Sequence, residues 1–490
     1  MDFWMAPGGI AMPFSGGSRR ELLRQSLLGA LGAGVTWSLR PGSGQSREEK
    51  NGGNLHVAPF FLDVTPPIGH PCCGGWIKPV EVVDDPLEAR GIVILGAGKP
   101  IVLCAVDWTG VLNGTHVAWR TAMAEAAGTT PDRVALHCVH QHNAPFACLD
   151  AESIIALEIG KGRNKLSHIL NPDWFKNCAD RSREAIARAI AKAQPVSRIG
   201  WGEAKVDRVA SNRRVSRDKS GKVLAMRGSA CRDSKLRDLP EGLIDPFART
   251  IAFFNGEKKI ASCHFYAVHP MSFYADGRVT GDFAGLARKA LQAREPDCAH
   301  IYFTGCAGDI AAGKYNDGSK ASRIELTQRL FEGIVASEKK LETTGTNGLS
   351  WRTVEVVPKA RPQPGISHMA SQIANSADQA INPNRIALEL AFHQRAQKQI
   401  PLVLGSLQVG PVRTMHLPAE TFVEYQLNAT KIARIHNKDA FVATAAYGDG
   451  GPWYIPTPAE FPNGGYEVSV AFGAPSLADS LSRGMESLLA

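Results

Sequence analysis

Arg133-Val-Ala-Leu-His-Cys-Val-His-Gln-His-Asn-Ala-Pro145 reads as a short buried strand, bounded upstream by the turn pair Pro131-Asp132 and downstream by Pro145. The stretch delivers His140 and His142 at its end. In extended backbone, residues i and i+2 project to one side, so both imidazoles are expected to reach a common point. The C-terminal end of a buried strand is also where open α/β sheets keep their ligands. Two satisfied polar residues at a strand end would look the same, so the remaining chain has to decide.

Upstream, Ala-rich His116–Gly128 predicts a helix closed by Gly128. Before it, Arg90–Leu95 and Pro100–Val106 predict a hairpin joined at Gly96–Lys99, and Phe60–Gly69 a strand running into a Pro turn. Strand, helix, strand in that order implies an α/β fold: a mixed central sheet flanked by helices. Downstream, Asp173–Gln194 has helical periodicity, and residues 200–245 are polar, Arg-rich and expected to be irregular. Two β-rich runs, 250–254 and 260–268, meet at the turn Asn255-Gly256. Further helices are expected at 283–293, 319–341 and 422–433, and strands at 300–303, 402–409, 413–417 and 440–446. A Gly/Thr/Asn-rich joint lies at 343–348, but candidate site residues fall on both sides of it, which favours one catalytic domain.

The chain has 490 residues, with 44% hydrophobic and 21% charged, ordinary values for a globular protein. Of the +8 net charge, +2 sits in the first fifty residues. No basic run is interleaved with aromatics, so a nucleic-acid partner is not indicated. Ser18-Arg19-Arg20 precedes a weakly hydrophobic Gly/Ala-rich segment ending near Val35, which reads as a Tat-type export signal. Residues 1–50 are thus expected to be signal and linker, and 51–490 the functional domain, exported to the periplasm or beyond. No stretch reaches the roughly 18 apolar residues of a transmembrane helix. The ten cysteines show no C-x-x-C spacing, so a Cys-rich metal site is not expected, and any disulfide pairing is unreadable.

A second apolar strand ends in His269-Pro270, and a third runs into the Gly-rich turn Gly305-Cys-Ala-Gly-Asp-Ile310. Taken in order, Asp63-Val-Thr-Pro-Pro67, Ala105-Val-Asp107, His140-Gln-His142-Asn-Ala-Pro145, Asn212-Arg213, Val268-His269-Pro270, Gly281-Asp282-Phe-Ala-Gly285, Gly305–Ile310 and Leu417-Pro-Ala-Glu420 resemble the neutral/alkaline (non-lysosomal) ceramidase family. The resemblance implies a zinc ion held by His140, His269, Glu420 and Tyr454, the last with Tyr447 and Tyr466 nearby. It implies that His142 and Arg213 contact the substrate or polarise its carbonyl. Asp309, in the Gly-rich turn, joins them as a candidate catalytic residue. Two imidazoles and a carboxylate are independently a usual set for catalytic zinc, leaving a position for water whose pKa falls to about 7. Asp63 and Asp107 could orient a ligand histidine, though a strand-end cap explains both.

Two departures from the family pattern stand out. The family's Gly-Asp turn continues G-D-V-S-P-N, whereas here Ala311 occupies the Ser position. The family commonly continues into a C-terminal β-sandwich, which is not expected in this chain. The reading is therefore a zinc-dependent hydrolase of an N-acyl, ceramide-like small molecule or lipid, whose substrate would bring it to a membrane surface. A metal-containing binding protein without turnover is the alternative. No G-x-S-x-G segment supports a serine hydrolase.

Overall fold

Among the described residues, each of the three principal sheets contains a strand followed by a helix and then by a second strand parallel to the first. The computed structural model describes residues 54–160, 168–273, 275–362, 364–375 and 381–490. The segment read as an export signal therefore lies outside the described residues. In the first sheet, β1 (His56–Asp63), β2 (Glu88–Leu95), β3 (Ile101–Val106) and β4 (Val134–Cys138) take the order β4-β3-β2-β1, with Gln194–Pro195 at the edge. β2 and β3 form the expected antiparallel hairpin, while β3 and β4 are parallel and joined by α1 (Asn113–Ala127). Gly128 closes α1 in the left-handed region at φ 68°, which glycine adopts without a Cβ penalty. Helices α2 (Leu149–Ile159) and α3 (Pro172–Ile190) follow, and α3 packs on α1 and β1. Every residue of β3 and β4 is buried, as a sheet covered on both faces requires.

The second sheet contains β5 (Arg198–Lys205), β6 (Phe247–Asn255), β7 (Lys258–Tyr266), β8 (Ala299–Thr304) and β9 (Glu342–Thr344). Its order is β8-β7-β6-β5-β9, with β7 and β8 parallel across α4 (Asp282–Arg294). Helix α5 (Lys320–Glu338) packs over β5 and β6. The third sheet runs β10 (Ser350–Val356), β11 (Leu402–Val409), β12 (Val412–His416) and β13 (Phe441–Ala445). Helices α6 (Ile366–Ala374) and α7 (Ile381–Gln397) lie between β10 and β11 in sequence, α8 (Val423–His436) connects the parallel pair β12 and β13, and α9 (Pro475–Leu489) packs on β10 and β11.

The mixed α/β class read from the sequence stands, distributed over three principal sheets. The irregular excursion expected at 200–245 begins instead as β5, an interior strand. Glycines at 200 and 202 conceal it, and a Cβ at Gly202 would meet the Ser337 carbonyl at 2.5 Å, so the close approach of α5 requires glycine there. The joint at 343–348 opens with β9, which completes the second sheet, so the sheet runs through it. The strand ends are tied together: Ala446 N donates to Thr304 O at 2.9 Å, and Cys138 N to Tyr447 O at 2.8 Å. The loops leaving β4, β7, β8, β12 and β13 thereby meet.

Candidate metal centre

β4 stops at Cys138, two residues before His140. Val139 N and His140 N go on to bond Val106 O and Trp108 O, following the chain that leaves β3. His140 itself takes φ +73°, so the two histidines do not share an extended strand face as expected. A turn brings them together instead, with ring centroids 5.1 Å apart. His269 leaves β7 and donates its own N–H to Ile310 O at 3.0 Å. Glu420 leaves β12 on a short strand whose register pairs it with Tyr454, so the two side chains share a face. A Cβ at Gly308 would lie 2.4 Å from Glu420 O, so the turn after β8 must be glycine at that point. Non-glycine residues at positive φ gather here: His140, Ala419, Tyr447 and Trp453. Such conformations cost of order 1 kcal/mol each and persist where the surroundings over-determine them.

The imidazole tautomers follow from their neighbours. His140 Nδ1 lies 2.6 Å from Thr109 O, and His269 Nδ1 lies 2.8 Å from Ala307 O. A carbonyl only accepts, so both Nδ1 atoms carry the proton and both Nε2 atoms present a bare lone pair. Those two Nε2 atoms are 2.9 Å apart, and Glu420 Oε2 lies 3.2 Å from one and 3.3 Å from the other. Three buried acceptors converge on one point, an arrangement that repels unless a cation lies among them. Ligands at zinc distances of about 2.0–2.1 Å in a tetrahedron stand about 3.3 Å from one another. The residues fit such an ion.

Burial by itself would raise the Glu420 carboxyl; positive charge at the point it shares with His140 and His269 outweighs that and holds the group far below the usual carboxylate range. Burial pushes His269 down, with His140 adding to the effect. His142 is half-buried, its ring 5.6 Å from that of His269, and its ligand nitrogen lies within 4.8 Å of those of His140 and His269. Burial, then the two neighbouring imidazoles, hold it well below an ordinary histidine.

Arg213 Nη1 lies 3.5 Å from the Tyr454 hydroxyl and its Nε 3.4 Å from Glu467 Oε1, with its guanidinium 5.5 Å from the Tyr466 ring centre. Tyr454 is buried, which keeps its phenol protonated well above the ordinary range. Its ring stacks near-parallel to His269, centroids 6.4 Å apart. Asp309 is turned to other partners: its carboxylate accepts from Asn212 Nδ2 at 2.8 Å and Val423 N at 2.9 Å, and its carbonyl from Arg213 N at 2.8 Å. Burial, with Glu424 adding, pushes its carboxyl up to about 8. Ala311 pairs with Ser211 and forms a parallel bridge with His269, so its methyl stands beside the centre, fully buried.

Asp63 accepts from Thr65 N at 2.7 Å and Asp107 from Glu88 N at 3.0 Å and Arg288 at 2.8 Å, the strand-end capping that sequence alone favoured. The groups that orient the two histidines are backbone carbonyls, which no side-chain pattern reveals. Tyr447 also reached further than the sequence reading gave it. It stacks on His140 at 4.3 Å, and its hydroxyl lies 3.2 Å from His269 Nδ1.

The fold and the centre together define a mixed α/β protein whose strand ends gather two histidines and a glutamate in a cluster compatible with a metal ion. No family model matches the chain, and no curated protein matches it. Among solved structures it is similar to a ceramidase complexed with C2, with a TM-score of 0.65 and 16% identity over 89% of this chain and 75% of that one. It is equally similar to the neutral ceramidase from Pseudomonas aeruginosa, at TM-score 0.65 and 16% identity, covering 89% and 74%. This chain has the neutral ceramidase fold, at great sequence distance.

Proposed function

We propose that this protein is a zinc-dependent hydrolase that cleaves the amide bond of an N-acyl, ceramide-like substrate. The observation that carries the reading is the convergence of His140 Nε2, His269 Nε2 and Glu420 Oε2 on one point, with both Nδ1 atoms turned to backbone carbonyls. Tyr454 completes the proposed ligand set from the strand beside Glu420. A zinc ion there supplies a Lewis acid and a water that ionises near neutral pH. His142, neutral and half-buried beside the centre, takes up and returns the proton that moves between nucleophile and leaving amine. Arg213, braced by Glu467 and Tyr466, stabilises the negative charge that develops on the scissile carbonyl oxygen. Asp309 positions that arginine by accepting its backbone N–H.

The test is hydrolysis of a short-chain N-acyl sphingoid base by protein reconstituted with zinc, against chelated protein and Arg213→Met. Turnover that needs zinc and falls on the substitution supports the proposal; a fully zinc-loaded protein without turnover on N-acyl substrates sinks it. That second outcome favours a metal-containing binding protein of the same fold, a reading that the bare methyl of Ala311 beside His269 motivates. Among the described residues no helix is long and apolar enough to cross a membrane. Export by the Arg19-Arg20 signal is part of the same proposal, checked by following residues 1–50 fused to a reporter.

A further inference from the structure

A separate histidine pair, His264 on β7 and His300 on β8, lies in the second sheet, and its hydrogen bonds can be followed proton by proton. Ser337 Oγ donates to Ile334 O at 2.7 Å, which uses its only proton. Thr250 Oγ1, 2.6 Å away, must therefore donate to Ser337 Oγ, and so it accepts from His264 Nδ1 at 3.0 Å. His264 Nε2 is left as an acceptor for His300 Nδ1 at 2.9 Å. The relay ends at His300 Nε2, a bare lone pair that is fully buried and has no hydrogen-bond partner. It faces Glu295 Oε2 at 3.9 Å, and the Glu295 carboxylate, Cys298 Sγ (a thiol directed at Ser262 Oγ and Ala299 O) and a His300 ring nitrogen all lie within 4.8 Å of one another. An orphaned buried acceptor costs about 1–3 kcal/mol and calls for an account.

The turn that carries these groups is built rigidly. Gln292 Nε2 reaches Glu295 O, Pro296 O and Cys298 O, and its Oε1 accepts from His300 N at 3.3 Å. Lys259 Nζ sits between Glu295 and Glu338 at 2.6 and 2.7 Å, one ammonium against two carboxylates. One oxygen of Glu338 remains unpartnered and buried. Glu295 is 29% exposed, so the site opens to the surface.

We propose that Glu295, Cys298 and His300 form a second cation site, which takes a soft divalent ion of the zinc class. Nitrogen, sulfur and carboxylate donors on one short segment match that class and not magnesium or calcium. On binding, the Cys298 thiol gives its proton to solvent, the sulfur becomes a ligand, and Lys259 withdraws onto Glu338. Affinity therefore rises with pH. The site is independent of the hydrolase reading, because it shares no residue with the first centre.

Cobalt(II) distinguishes the two, since the proposed ligands of the first centre include no cysteine. Titrated into the full-length protein, cobalt is expected to fill a site with a thiolate-to-cobalt charge-transfer band in the near ultraviolet. Cys298→Ser should abolish that band and lower the bound metal by one equivalent, with zinc-dependent hydrolysis unchanged. His300→Gln, which keeps a polar group in place should the serine variant fail to fold, should do the same. A saturated wild type without the band overturns the proposal, as does a band that survives either substitution.

Discussion

His137 and His140 stand three residues apart at the end of one strand, and each meets a second histidine at 2.9 Å. Around His137 every proton has a home. Leu407 N donates to Thr414 Oγ1, Thr414 Oγ1 to His416 Nε2, His416 Nδ1 to His137 Nε2, and His137 Nδ1 to Ala446 O. Around His140 both Nδ1 protons are committed to carbonyls, and the two Nε2 lone pairs face each other with a carboxylate added. Equal spacing thus hides opposite chemistry. A closed donor–acceptor chain is a structural element, whereas a convergence of acceptors is a place for a cation.

The comparison breaks most visibly at Glu420. Glu420→Gln is expected to remove zinc from the first centre and to reduce hydrolysis to background, with His416→Ala leaving both intact. Retained zinc and activity in the glutamine variant would erase the distinction between the pairs. Arg213→Met should lower kcat by about 10²–10³-fold, as loss of an oxyanion donor does, without lowering metal content. On the closed side the effect falls on stability. His416→Ala orphans His137 Nε2 and opens a cavity, at a cost of about 2–4 kcal/mol readable by denaturant unfolding.

Acid sharpens the contrast further. Burial holds His137 down to about 3, far below an ordinary histidine near 6.5. The folded state then binds fewer protons than the unfolded state between those values. This contribution is complete above about pH 6.5 and is lost as pH falls toward 3, by about 1.4 kcal/mol per pH unit. A His137→Gln variant should show a flatter loss of stability across that window, measured as unfolding free energy against pH. The smallest expected change is Tyr447→Phe, which keeps the stack on His140 but removes the hydroxyl near His269. Zinc affinity should fall by roughly 10-fold, as for loss of an outer contact to a ligand.

Much of this was legible in the sequence because it rests on local rules. The hairpins, the α1 helix with its Gly128 stop and the Asn255-Gly256 turn are short-range patterns, and the ordered histidine, glutamate and Gly-Asp motifs carried the resemblance to the ceramidase fold. What could not be read depends on tertiary contact. β5 hides behind glycines demanded by α5, and α7 is so extensively buried that it offers no clean amphipathic stripe. His140 and His142 do lie together, but a positive-φ turn, not the i, i+2 spacing of a strand, brings them there. Thr109 O and Ala307 O, which fix the tautomers, are main-chain atoms. Only the folded chain reveals them.

The most direct measurement is zinc per chain by elemental analysis on wild type, His140→Ala/His269→Ala and His137→Gln/His416→Gln, each checked for folding. The first double variant should hold one zinc fewer than wild type, and the second as many. Equal zinc in all three, or none in a folded wild type, would contradict that expectation.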